Sequence, residues 1–581
     1  MIQRINEDSM SEVSTLVELL RIRGSQDAGR LAFTFLKDGE HEESQLTYGE
    51  LDQSAQRIAA RLQAMGLEGE RVLLLYPSGL EFIAAFFGCL YAGAIAIPAS
   101  APRNLRALRH LRSITDDAQP KLVLSSEGVW ARVEPLLCQA GLDSLRWLTD
   151  QSLDSMTAGE WHEPQIDGDT LAFLQYTSGS TSEPKGVMVG HRNVLGNNRM
   201  LRESFGQNES SIVVSWLPLF HDMGLVGNVL QVIYQGAQCV LMPPEAFLMK
   251  PVRWLQAISR YGAQNSGGPN FAYELCARRV TAEQKASLDL SKWEVAFIGA
   301  EPVRAGTLER FAGAFTTCGF REAALYPCYG LAEATLFVAG GSKLKGYQAI
   351  DFQARSLEEH CAVPCADADV GALKARRLVS CGHGWVDQKI AIVDPASSFL
   401  CESGRVGEVW VSGPNVAQGY WGRGGDSQET FRAHVIGDGA TTYLRTGDLG
   451  FFYDGKLFIC GRLKDHIIIA GRNHYPADIE QAVEQCHHAI RSGACAAFSV
   501  EVDDLERLVV VAELERTYRA DDRSVVQAIR QAVAEAHDLM PHSITLLNPT
   551  GCPRTSSGKI VRHACRTSWL DGTLNIWKPR R

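Results

Sequence analysis

Apolar positions in the first part of the chain alternate between two rhythms. Leu51, Ala55, Ile58 and Leu62 recur on one helical face. Thr47 and Glu50 precede them at the T-x-x-E spacing of a capping box, and Gly66 stands where a C-cap belongs. Short, mostly apolar runs predict buried strands over 72–76, 121–124, 171–176, 212–216, 238–242 and 293–298. Helical patterns lie between these runs, which predicts parallel sheets in an α/β architecture. The stretch 82–102 carries no charge and is nearly long enough to cross a bilayer. Gly88, Gly93 and Pro98 punctuate it, so it is expected to be a buried helix over 81–91 running into a buried strand over 94–97.

After about residue 370 the rhythm becomes strand-like, over 378–379, 388–393, 406–411 and 457–461. Asp454-Gly455 between apolar pairs is a hairpin signal. From about Asp465 the pattern resets: helix over 477–486, strands over 495–500 and 507–515, helix over 525–536, strand over 543–547. This predicts a compact α+β unit behind a β-rich one.

Length and composition narrow the picture. A chain of 581 residues exceeds one hydrophobic core, so two or more domains are expected. The formal net charge of -10 argues against nucleic acid or an acidic membrane surface as the main partner, although an acidic partner could still dock on a local basic patch. Arg4, Glu7, Asp8 and Glu12 interrupt the start, which excludes a secretory signal there. Fifteen cysteines without framework spacing suggest reduced thiols and a cytoplasmic location. His360, Cys361 and Cys365 lie together, but no second Cys/His pair stands at zinc-site spacing.

The strongest chemical signal is the segment from Leu174 to Gly186, L-Q-Y-T-S-G-S-T-S-E-P-K-G, behind an apolar strand. Thr177, Ser178, Gly179, Ser180 and Thr181 offer hydroxyl groups and exposed backbone N–H donors to phosphate oxygens, and Lys185 adds a positive charge. A Walker A loop is excluded, because Pro184 stands in place of its second glycine and Gly186 follows the lysine.

This segment resembles the phosphate loop of the adenylate-forming enzymes, which include acyl-CoA synthetases, luciferases and peptide adenylation domains. Further segments match in order. Tyr329-Gly330-Leu331-Ala332-Glu333 resembles Y-G-x-[TA]-E, which implies adenine stacking by Tyr329 and Mg²⁺ binding by Glu333. Gly299-Ala300-Glu301 resembles the lining of the other adenine face. Asp448 in T-G-D and Arg462 in G-R-L-K-D are implied at the ribose, with Asp465 as the hinge. Lys559 in P-R-T-S-S-G-K is implied to bridge the acyl carboxylate and the α-phosphate. The resemblance implies a large N-terminal domain, 1–464, with two α/β sheet subdomains and a β-rich subdomain. A small mobile α+β C-terminal lid, 465–581, would carry the lysine.

Three more segments resemble the fatty acyl-AMP ligases: the run from Trp216 to Leu225 with F-H-D-M-G-L, S-G-G-P-N-F-A-Y from Ser266, and G-R-N-H-Y-P from Gly471. Those enzymes hand the acyl group to an acyl carrier protein. They also carry an insertion between domains that disfavours the rotation needed for coenzyme A; its counterpart here is about 346–376, whose mixed composition otherwise suggests a surface loop. Ser182 departs from the glycine of the wider superfamily, and Gly471-Arg472 replaces a glycine pair, so the arginine is expected to narrow or recharge the pantetheine path. His221 and Asp222 could form a general acid–base couple, but gating and positioning near the carboxylate is the preferred reading, since the acid is already ionised near neutral pH and needs no base. Met223 and Phe271 are candidates for an apolar acyl wall, with core packing as the alternative.

The expected activity is therefore conversion of a fatty acid and ATP to acyl-AMP and pyrophosphate. Lys559, Glu333, Thr177 and His221 form the catalytic set, with ATP and Mg²⁺ required. Transfer to a separate phosphopantetheinylated carrier protein follows rotation at Asp465, since the chain contains no carrier segment of its own. A fatty acyl-CoA synthetase and a catalytically silent nucleotide-binding protein are the alternatives.

Overall fold

The computed structural model describes residues 13–578 apart from 103–104, 158, 178–183, 367–373, 470–471, 504, 519–521 and 556–557. Among the described residues, one sheet has eight strands. It runs from Phe337–Gly340 through Leu325–Gly330, Val295–Ile298, Asn265–Gly268, Ile212–Ser215, Gln238–Leu241 and Leu31–Leu36 to Glu42–Thr47. Its interior pairs are parallel and both outermost pairs antiparallel. A second sheet orders Trp147–Thr149, Leu122–Ser125, Arg71–Leu75, Ile95–Pro98, Leu171–Thr177 and Lys185–Gly190, with only the last pair antiparallel. Strands such as Val295–Ile298 and Ile95–Pro98 are buried at every position, as parallel strands covered on both faces must be.

The uncharged stretch forms the core helix Leu80–Tyr91 and the strand Ile95–Pro98. Among the described residues no helix is long and apolar enough to cross a membrane. The helix Tyr48–Ala64 begins with the expected capping box: Thr47 Oγ1 accepts from Glu50 N–H, and Glu50 returns to Thr47 N–H at 2.9 Å. A Cβ on Gly88 would lie 2.3 Å from Ile58 Cγ2, so glycine is what lets these two helices meet.

A four-stranded antiparallel sheet follows, ordered Lys389–Val393, Gly407–Ser412, Leu444–Tyr453 and Lys456–Arg462. Asp454 and Gly455 close its last hairpin with φ of +49° and +69°, the two positive values a tight two-residue turn demands. The C-terminal part has its own sheet of Ile490–Val502, Leu505–Leu514 and Ser543–Leu547, covered by helices Pro476–Cys486 and Asp522–His537. Its core includes Ile479, Val483, Val510, Ile529 and Val533.

Two expectations need correction, and a helix and a hairpin are added to them. The segment at 346–376 is no mere surface loop: Ala349–Gln353 pairs antiparallel with Ala375–Val379. Phe352, fully buried, packs edge-on against Phe451, Tyr453 and Phe458 at 5.1 to 5.6 Å. One phenylalanine inside a polar stretch has no periodicity to betray it. The strand expected over 293–298 begins only at Val295, because the Trp293 indole turns inward and donates to Ser266 O and Val295 O. The helix Leu16–Gln26 and the hairpin Leu31–Leu36/Glu42–Thr47 went unanticipated; alternation in the second strand is masked by its polar residues. At the Cys/His cluster, His360 Nε2 meets the Asn473 amide at 3.0 Å and Cys361 Sγ faces Arg405 at 3.0 Å.

His191 opens the helix His191–Phe205, where its Nδ1 accepts from Leu16 N–H at 3.1 Å. Burial lowers its pKa from 6.5 to about 4, so the folded chain holds it neutral. Below pH 6.5 the unfolded chain takes up the proton first, and this contribution to stability is lost as pH falls toward 4, reaching about 3 kcal/mol. Urea unfolding at pH 7 and pH 4.5 should show that His191→Gln reduces the acid-induced loss relative to wild type.

Candidate functional site

The candidate residues gather where strand ends converge, the usual place for ligands in open α/β sheets. Thr177 ends its strand and pairs in register with Lys185 across the hairpin; Ser178, Gly179, Ser180 and Thr181, between them, lie outside the described residues. Gly299, Ala300 and Glu301 follow Val295–Ile298, and Gly299 Cα borders Cys328, the neighbour of Tyr329. Ala300 has φ of +68°, a left-handed conformation costing an alanine roughly 1 kcal/mol, which the surrounding fold imposes. Tyr329 and Gly330 end Leu325–Gly330, and Leu331, Ala332 and Glu333 follow at once. A Cβ on Gly330 would lie 1.8 Å from Leu336 O, so no other residue fits there.

Two ion pairs and two tyrosine hydroxyls organise this edge. Asp448 and Arg462 are cross-strand partners, with Arg462 Nε 3.0 Å from Asp448 Oδ1. The Tyr329 hydroxyl donates to the other Asp448 oxygen at 2.7 Å. Glu333 is half-buried; burial pushes its carboxyl up, and the Tyr420 hydroxyl donates to its Oε1 at 2.9 Å. Lys185 Nζ lies 2.5 Å from Asp426 Oδ2 and 4.7 Å over the Tyr420 ring. Sequence reasoning missed Tyr420 and Asp426. Each acts on a partner far away in the chain, and no local pattern carries that information.

The far end of the chain closes the cleft. A turn brings Thr555 N–H to Lys559 O at 2.8 Å, and Lys559 N–H to Thr555 Oγ1 at 3.0 Å. Lys559 shares the cleft with Asp222, Glu301, Asp448 and Arg462; burial lowers its ammonium pKa, against the pull of the carboxylates. Burial raises the Glu301 carboxyl, which accepts from Phe271 N–H at 2.7 Å. Burial also opposes ionisation of Asp222, yet His221 and Lys559 hold it below the usual range. His221 Nδ1 lies 2.5 Å from Asp222 Oδ1, which also accepts from Met223 N–H at 2.7 Å. Met223 is buried and Phe271 half-buried, the latter ring 6.0 Å from Trp216. A π-helical stretch, Leu225–Leu230, follows, and the Asn228 amide reaches back to Met223 O at 2.7 Å.

Ion pairs seat the C-terminal part. Arg304 bonds Glu484 at 2.7 Å, Arg376 forms an ion pair with Asp478 at 2.8 Å and lies 4.2 Å over Tyr475, and Arg472 bonds Glu358 at 2.6 Å. Arg472 is therefore turned onto the inserted segment; Gly471 lies outside the described residues. Asp465 pairs with Arg562 at 2.7 Å.

Comparison with known proteins fits this geometry. The sequence pattern of the AMP-binding enzyme family matches residues 20–421, and that of the Disco-interacting protein 2-like AMP domain matches 464–579. The chain is 46% identical over 579 residues, 98% of each chain, to medium-chain-fatty-acid–[acyl-carrier-protein] ligase JamA of Moorena producens. A crystal structure of the Legionella pneumophila fatty acyl-adenylate ligase with acyl adenylate and pyrophosphate is 39% identical, covers 100% of both chains and has a TM-score of 0.76. A structure of the fatty acyl-adenylate ligases of E. coli and L. pneumophila is 32% identical over 97% of this chain and 98% of that one, with a TM-score of 0.88. The chain belongs to the AMP-binding enzyme family and is a ligase. Within that family it groups with the fatty acyl-AMP ligases.

The Arg304–Glu484 pair joins the two parts directly, and Glu484 is only 6% exposed. In a double-mutant cycle with Arg304→Met and Glu484→Gln, the coupling energy from urea unfolding should be about 1–3 kcal/mol.

Proposed function

We propose that this ligase activates a fatty acid with ATP and passes the acyl group to the phosphopantetheine thiol of a separate acyl carrier protein. The observation that carries the reading is the seating of Lys559 among Asp222, Glu301 and Asp448. A lysine from the C-terminal part is held, partly desolvated, at the cleft where the strand ends meet. The names of JamA and of the Legionella complex support the same chemistry.

In the first step the ionised carboxylate oxygen attacks the α-phosphorus, and the bond to the pyrophosphate oxygen breaks. Two anions must approach, so charge neutralisation dominates the barrier. Lys559 supplies it from one side, Lys185 and the loop at 177–181 hold the outgoing phosphates, and Asp448 with Arg462 fixes the ribose. Tyr329, with Gly330, Leu331, Ala332, and Gly299, Ala300 and Glu301, encloses the adenine. His221 positions the acid, and Met223 and Phe271 wall its apolar chain. Magnesium fits the residues present: Glu333 is a partly desolvated carboxylate oriented by Tyr420, and among the described residues no group of three or more His, Cys, Asp or Glu could cage a cation. Such a lone carboxylate suits an ion that takes its other ligands from phosphate and water. Bound there, Mg²⁺ supplies positive charge to the phosphate oxygens.

The second step requires the lid, 465–581, to rotate at Asp465 on the body, 1–464. The inserted segment opposes this through Glu358–Arg472 and Arg376–Asp478, which favours the acyl-AMP ligase over the acyl-CoA synthetase reading. A cytoplasmic location belongs to the proposal and is supported by fifteen cysteines scattered without framework spacing.

Lys559→Ala should lose at least roughly a hundredfold in ATP–pyrophosphate exchange with an unchanged melting midpoint; near wild-type exchange would overturn the reading. Acyl-AMP should accumulate with coenzyme A and be consumed with a carrier protein, whereas efficient acyl-CoA formation would make the enzyme a synthetase. Asp426→Asn should free Lys185 for the nucleotide and tighten ATP binding by calorimetry up to roughly fivefold, the range for a partly exposed pair.

A further inference from the structure

The side chain that joins the two halves of the phosphate site belongs to neither sequence signature. Tyr420 is 7% exposed, and its ring meets Phe431 edge-on at 5.0 Å. Its hydroxyl donates to Glu333 Oε1 at 2.9 Å, while its ring face carries the Lys185 ammonium at 4.7 Å. The backbone fixes this placement from three sides. Met188 N–H donates to Gly419 O at 2.9 Å, Trp421 N–H to Gly186 O at 2.8 Å, and Ala417 N–H to Glu333 O at 2.9 Å. The segment around Tyr420 is thus stitched to the strand that leaves the phosphate loop and to the turn that carries Glu333.

We propose that Tyr420 is a positioning residue for the adenylation step, holding the Glu333 carboxylate for a divalent cation with its hydroxyl and the Lys185 ammonium for phosphate with its ring. The proposal rests on the function proposed above and adds a residue to it. A hydroxyl donated to one carboxylate oxygen fixes rotation about the terminal side-chain bond, so the other oxygen keeps one direction. Partners of this kind typically govern metal affinity by 10- to 100-fold. The ring face restrains the ammonium without neutralising it, while the half-exposed Asp426 carboxylate pairs with it and must yield to an incoming phosphate. One aromatic side chain therefore touches both groups that would face a triphosphate, the Glu333 carboxylate through its hydroxyl and the Lys185 ammonium through its ring.

The test separates the two faces of the ring. Tyr420→Phe keeps the platform and removes the donor; Tyr420→Leu removes both. Mn²⁺ binding to the enzyme–ATP complex is followed by the loss of the free-ion electron paramagnetic resonance signal, beside ATP–pyrophosphate exchange and the melting midpoint. In Tyr420→Phe, Mn²⁺ affinity should fall roughly tenfold with the KM for ATP at saturating cation within twofold of wild type. In Tyr420→Leu, the same loss should be joined by a several-fold rise in that KM. Unchanged Mn²⁺ affinity in a folded Tyr420→Phe protein would overturn the proposal, as would an equal rise in the KM for ATP in both variants. Should Tyr420→Phe fail to fold, Tyr420→Leu retaining wild-type Mn²⁺ affinity would overturn it in the same way. Absence of exchange in the wild-type protein would instead remove the proposed function beneath it.

Discussion

A lysine must arrive from the far end of the chain and remain charged in a half-dry cleft, and much of the structure follows from that constraint. Burial disfavours the Lys559 ammonium, so carboxylates must stand around it. Asp222 and Glu301 come from turns after two strands of the same sheet, and Asp448 from the antiparallel sheet beside it. Each is held by something other than the lysine: Asp222 by His221 and its own turn, Glu301 by Phe271 N–H, Asp448 by Arg462 and Tyr329. The body of the protein therefore holds each carboxylate by bonds of its own, and the docked lysine adds the positive charge to that set.

The same logic applies to the seating of the C-terminal part. The ion pairs that hold it involve Arg304, Arg376 and Glu358 on one side and Glu484, Asp478 and Arg472 on the other. Ion pairs suit a surface that must separate and re-form, because their partners can be solvated in between, whereas a large apolar seam would commit the domain to one position. Tyr475, inserted near Phe352 and under Arg376, is the apolar exception and gives the seat its register.

The framework was largely legible. Mostly apolar runs such as those at 212 and 238 pointed to buried strands, and Thr47, Glu50, Asp454 and Gly455 announced local geometry because they act on their neighbours. Lys559, Glu333, Asp448 and Arg462 stood out through resemblance, and the fold brings them to one cleft. Long-range partners were not legible. Tyr420 finds Glu333 across 87 residues and Asp426 finds Lys185 across 241, and the buried Phe352 sits in a stretch whose average is polar. In each case the information lies in how separate elements pack, which a linear pattern does not encode.

The π-helical stretch Leu225–Leu230 has an evolutionary consequence. Such a turn amounts to one residue inserted into an α-helix. Deleting one residue there would restore regular geometry and rotate Gln231–Gln235 by about 100° relative to His221 and Asp222. A one-codon indel, rather than a series of substitutions, would thus re-aim the buried side chains of Gln231–Gln235 within the core while leaving the charged centre in place.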